Sequence, residues 1–116
     1  NTNIYSFATS GSNIFAGSSG GVFLSANNGT NWTAVNTGLT DTYVISFAVS
    51  GTNLFAGTNN GGVFLSTNNG TGWTAVNTGL MSSKILSLVI SGSDILAGTE
   101  GGGAWRRPLK EMVKGK

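Results

Sequence analysis

The chain has 116 residues, enough for one modest domain, and only 9% of them are charged. It contains no Cys and no His, which excludes disulfides, thiolate or imidazole metal sites and histidine general bases. The formal charge of +2 belongs to one end: Arg106, Arg107, Lys110, Lys114 and Lys116 supply it, while Asp41, Lys84, Asp94 and Glu100 upstream sum to −2, so no nucleic-acid face and no nucleic-acid partner is expected.

No run approaches the roughly 20 apolar residues of a membrane span, so no membrane insertion is expected. Asn1 opens in mid-repeat without a signal-peptide pattern, as mature or excised material would. Solubility must come from Asn, Thr, Ser and Gly, and the 19 glycines recur at fixed places, as turn residues do.

Taken in order, the chain reads as short strands bounded by turn residues. The first is IYSFATS, Ile4 to Ser10, apolar on both alternating faces as a strand buried on both sides should be. Gly11-Ser12 turns it into NIFAG, Asn13 to Gly17, and GVFLS follows from Gly21. Asn28-Gly29 then supplies a dipeptide suited to a type I′ turn, because both residues tolerate positive φ. WTAVN, from Trp32, closes the set as a fourth strand.

The same four return as VISFAVS (Val44 to Ser50), NLFAG (Asn53 to Gly57), GVFLS (from Gly62) and WTAVN (from Trp73), with turns at Gly51-Thr52 and Asn69-Gly70. A third set begins with ILSLVIS (Ile85 to Ser91), DILAG (Asp94 to Gly98) and GAWRR (from Gly103), and then stops. Pro108-Leu109 stand where the next hairpin should be, and only Leu109 to Lys116 could form a helical turn. A small Ser recurs at 6, 46 and 87, where close packing would leave no room for more.

Ser25 to Leu39 and Ser66 to Leu80 agree at all but two positions, Ala26/Thr67 and Asn31/Gly72, and lie 41 residues apart. A strand-rich period of about 40 to 45 residues is that of a β-propeller blade. The expected fold is all-β, with blades of four antiparallel strands: blade one 1–39, blade two 40–80, an incomplete blade three 81–108, and a basic tail 109–116. Because propellers have about 4 to 8 blades, three must be completed. Either a homodimer closes a six-bladed ring, or the missing blades belong to a longer chain.

Ser25, Asn27, Gly29 and Trp32, with their counterparts Ser66, Asn68, Gly70 and Trp73, resemble the Asp-box or BNR repeat, S-x-D-x-G-x-x-W, of sialidase-like propellers. Asn stands in both copies where the box has Asp, and an Asn carbonyl can still accept backbone N–H groups across such a turn. The resemblance implies a structural hairpin without activity of its own. The whole repeat, with its GGGAWRRPL ending, is also similar to regular propellers of exported bacterial surface proteins, which implies an extracellular or cell-surface location.

The inventory argues against a self-contained active site. Glycoside hydrolysis needs two carboxylates flanking one bond, and Asp41, Asp94, Glu100 and Glu111 each lack an equivalent in the other repeats. Arg106 and Arg107 are adjacent on one strand and point to opposite faces, unlike an arginine cluster. No cofactor and no metal is expected, since the turns lack the carboxylates of a calcium loop. Trp32, Trp73 and Trp105 are expected to pack between blades rather than stack on sugars.

The connections from fourth to first strand and from second to third should emerge together. Asp41, Tyr43, Asn59, Asn60 and Glu100 lie there and would face a ligand. The expected function is a non-catalytic scaffold or recognition surface for protein or glycan. The alternative is a fragment of a sialidase-like or other glycoside hydrolase whose acids lie in absent blades.

Overall fold

The computed structural model describes residues 3–76, 84–101 and 103–110. Among the described residues eleven strands form three antiparallel sheets. The first holds β1 (Ile4–Ser10), β2 (Asn13–Ser18), β3 (Gly21–Ser25) and β4 (Thr33–Ala34). The second holds β5 (Val44–Ser50), β6 (Asn53–Thr58), β7 (Val63–Ser66) and β8 (Thr74–Ala75), and the third β9 (Ile85–Ser91), β10 (Asp94–Thr99) and β11 (Gly103–Pro108). Strands pair in chain order within every sheet. The all-β fold of antiparallel four-stranded units, with three strands in the third among the described residues, is therefore as the sequence indicates.

Turn chemistry explains this local order. Gly11, Gly51 and Gly92 have φ of 62°, 61° and 60° and are followed by residues of ordinary φ, which matches a II′-type hairpin turn with glycine first. Register follows directly, with Ser10 opposite Asn13, Ser50 opposite Asn53 and Ser91 opposite Asp94. Hydroxyls fix the next connections: Ser18 and Thr58 donate to the carbonyls of Gly21 and Gly62 and accept from the N–H groups of Gly20 and Gly61. Thr99 repeats the donation, to Gly103.

The outer strand is shorter than WTAVN, with only Thr33–Ala34 and Thr74–Ala75 in regular pairing. Its contact continues by other means. Val35 N donates to Val22 O and Val76 N to Val63 O, while the Asn36 side chain accepts from Val22 N. Leu109 and Lys110 turn helical after Pro108, and the rest of the basic tail lies outside the described residues. No helix among the described residues is long and apolar enough to cross a membrane.

The core lies between sheets. Phe15 and Val22 of the first sheet meet Val44, Leu54, Ala56, Phe64 and Trp73 of the second. Phe55, Val63 and Leu65 on the other side of the second sheet meet Ile85, Leu88, Ile95, Ala97 and Trp105 of the third. Close approach requires a glycine in the second strand: a Cβ on Gly57 would lie 2.6 Å from Ile85 Cγ2 and 2.5 Å from Ser46 Oγ. The recurrent serine thus sits against the glycine of its own sheet. Gly57→Ala should lower stability by about 1–3 kcal/mol through overpacking, read as a lower urea midpoint at unchanged slope.

Candidate functional site

Two constructions recur in the fold, a hairpin between the third and outer strands and a loop cluster at the start of the inner strands. In the first hairpin Ser25 Oγ accepts from Gly29 N at 2.8 Å and donates to Asn27 Oδ1 at 3.0 Å, and Asn27 Oδ1 accepts from Asn31 N at 2.9 Å. The second repeats this with Ser66, Asn68, Gly70 and Gly72 at 2.8, 2.9 and 3.0 Å. Asn28 and Asn69 carry φ of 61° and 60°, and Gly29 and Gly70 are also positive, so the expected I′ geometry is present. It sits inside a longer connection rather than joining the strands directly, and Thr30 N and Thr71 N close the turn onto Asn27 O and Asn68 O.

The two tryptophans differ although their surroundings in sequence are nearly the same. Trp73 is 5% exposed and donates its indole N–H to Val35 O of the preceding sheet at 2.8 Å. Its backbone also donates to Thr37 O, and Gly38, at φ 86°, passes so close to the Trp73 carbonyl that no side chain would fit. Trp32 is 40% exposed and donates to Gly29 O of its own hairpin. The expectation of packing between blades holds for Trp73 and Trp105 but not for Trp32, because among the described residues no sheet lies against that side of the first one.

At the loop cluster Asp41 is the organiser. Its Oδ1 accepts from Tyr43 N at 3.0 Å and its Oδ2 from Asn60 N at 2.6 Å, tying the two connections together. Asn59 N donates to Tyr43 O. The structure therefore brings Asp41, Tyr43, Asn59 and Asn60 into one group. Glu100 occupies the position of Asn59 in the next sheet, where its N–H meets Lys84 O and its carboxylate lies 3.5 Å from Lys84 Nζ. The second connection from outer to inner strand, 77–83, lies outside the described residues.

Tyr5, which is not among the loop residues that the sequence singles out, completes the cluster. Its ring stacks on Tyr43 with centroids 5.4 Å apart and planes 13° from parallel, and the hydroxyls are 3.0 Å apart. A register shift between Ile4 and Ser6 bulges Tyr5 out of simple alternation. The same shift recurs around Ile45 and Leu86, and a bulge of this kind re-aims the side chain it carries. Comparing the three inner strands position by position was the signal available, since Tyr5, Ile45 and Leu86 share that place.

The hydrogen bond from Tyr5 raises the Tyr43 phenol above its ordinary pKa, with lesser contributions from the Tyr5 charge and from desolvation.

No family model matches the chain, and no curated protein matches it in sequence. Solved structures do match in shape. The extracellular domain of the hybrid two-component system BT3049 from B. thetaiotaomicron aligns at TM-score 0.74 and 22% identity, over 92% of this chain and 16% of that one. An ancestral GH74 enzyme aligns at 0.71 and 22%, over 83% and 13%, and YCF48 from Cyanidioschyzon merolae at 0.72 and 14%, over 99% and 36%. The computationally designed Ika4 protein aligns at 0.70 and 12%, over 91% and 66%. The chain is thus similar to parts of β-propeller-like proteins and spans less than two thirds of each.

Two outcomes follow. Ser66→Ala leaves the buried Gly70 N–H without its acceptor and should cost about 1–3 kcal/mol, whereas Asn68→Asp keeps every acceptor and should hold or raise the urea midpoint. The chain has only two tyrosines. Because the raised Tyr43 pKa favours the neutral phenol in the folded state, that contribution is complete below the ordinary value and lost as pH climbs through the raised one. In a tyrosinate absorbance titration, Tyr5→Phe should bring the Tyr43 midpoint down.

Proposed function

We propose that the chain is a non-catalytic propeller module whose recognition surface is the loop end carrying Tyr5, Tyr43, Asp41, Asn59 and Asn60, and that its ligand is a glycan or a protein. The observation that carries this reading is how Asp41 is used. Both of its oxygens accept from backbone N–H groups, so it holds a loop in place rather than facing a second acid. Asp94 lies 3.7 Å from Arg106 and Glu100 beside Lys84, so among the described residues no two carboxylates are paired across a cleft. What the braced loops display is a pair of stacked phenol rings, each an apolar plane with a polar tip.

The two hairpins are read as Asn variants of the Asp-box, with a structural role only. An extracellular or cell-surface setting, in a bacterium, fits the likeness to an extracellular domain.

A second reading, favoured by the likeness to an ancestral GH74 enzyme, makes the chain part of a glycoside hydrolase propeller with its acids elsewhere. A glycan array run with parallel assays for released reducing sugar separates the two. The first reading expects binding without turnover, and loss of binding in Tyr5→Ala and in Asp41→Ala. Sugar release by a longer form of the protein, abolished by replacing carboxylates outside residues 1–116, would establish the second.

A further inference from the structure

The two sheet-to-sheet contacts inside the chain are built alike. In each, a glycine of the second strand leaves a notch that receives the first residue of the next inner strand. A Cβ on Gly17 would lie 2.8 Å from Val44 Cγ1, and one on Gly57 would lie 2.6 Å from Ile85 Cγ2. Val44 and Ile85 are both completely buried. Gly98 is the third glycine of the series, and a Cβ there would meet only Ser87 Oγ of its own sheet, at 2.7 Å. Ile4 is the third plug, and it is 46% exposed.

The surroundings of these two positions match as well. Phe7, Ala16, Phe23 and Trp32 stand beside Ile4 and line an open apolar concavity of about 400 Å³. Their equivalents Phe47, Ala56, Phe64 and Trp73 cover the first sheet in the contact already formed. On the far side of the third sheet Val89 is 54% exposed, at the position where Ala48 is buried against that sheet.

We propose that two copies of this chain associate head to tail, Ile4 of each filling the Gly98 notch of the other, to close a ring of six sheets. The occupant is a second copy because the exposed pair continues an interface that this chain already makes twice, with the glycine notch at one half and Phe7, Ala16, Phe23 and Trp32 at the other standing as Phe47, Ala56, Phe64 and Trp73 do inside the chain. Two copies give six sheets, within the usual range of about 4 to 8 blades, whereas three copies overshoot it. A head-to-tail contact of this kind closes when its rotation fits the ring. The face of the third sheet departs from the internal ones at Leu96, which replaces Phe15 and Phe55, at Ala104, which replaces Val22 and Val63, and at Arg106, which replaces Leu24 and Leu65. Its guanidinium would approach the face that carries Trp32, an aromatic partner that suits it.

The inference is independent of the loop-end reading. Light scattering on the 116-residue protein should return twice the 11.8 kDa chain mass. Ile4→Asp and Val89→Asp, at opposite ends of the arc, should each bring it to a single chain with the β-sheet circular dichroism retained. Should Ile4→Asp fail to fold, Phe7→Asn at the same open face makes the same test. A wild-type mass of one chain with a cooperative melt overturns the proposal. So does a mass that climbs steadily with concentration, or a double mass that survives both aspartates.

Discussion

Everything in this molecule depends on how closely one sheet can lie against the next. A four-stranded antiparallel sheet with two apolar faces has no stable existence alone, and its stability comes from what covers it. Here the approach is set by an absent side chain. Gly17 and Gly57 admit Val44 and Ile85 at distances that no Cβ would permit, and the serines at 6 and 46 are small enough to sit alongside. Ser6 Oγ and Ser46 Oγ are buried there with no hydrogen-bond partner among the described residues, so close packing takes precedence over satisfying two hydroxyls, each an expense of about 1–3 kcal/mol. The larger Phe15 and Phe55, fully buried two residues earlier on the same strands, complete the contact.

Much of this arrangement was legible in the residues. The inner strands begin and end where their apolar runs do, and the Gly-first and Asn-Gly turns adopt the φ values that their side chains allow. What escaped was whatever depends on a neighbour or a break in alternation. Trp32 and Trp73 occupy equal places in a repeat that is almost identical, yet one is open to solvent and the other donates to Val35 O. No local pattern records which side of a sheet is covered. Tyr5 is the other case, since a bulge changes where a side chain points without altering composition.

The repeat is conservative where sheets pack and divergent where loops emerge. At the head of the inner strands, Asn3, Tyr43 and Lys84 share one backbone role, each carbonyl accepting from the N–H of Ser19, Asn59 or Glu100. Backbone geometry is held constant there while side chains range from amide to phenol to ammonium. A rigid support with variable decoration is the usual division of labour between scaffold and binding loops. The proposed recognition surface at Tyr5, Asp41 and Tyr43 lies at that varied end, away from the hairpins, which hardly vary between the first two sheets.

The use of amide and hydroxyl acceptors in those hairpins has an environmental consequence. A turn that relies on a carboxylate weakens when acid protonates it, and ions in solution screen its charge. Asn27, Asn68, Ser25 and Ser66 neither gain nor lose a proton over any ordinary range, and Asp41 is the sole ionisable side chain of the Asp, Glu, Lys and Arg set in the first 80 residues. The two Asn-Gly hairpins are therefore indifferent to sourness and to brine, whereas the loop end, where both oxygens of Asp41 hold backbone N–H groups, is the part of the first two sheets that rests on a charge.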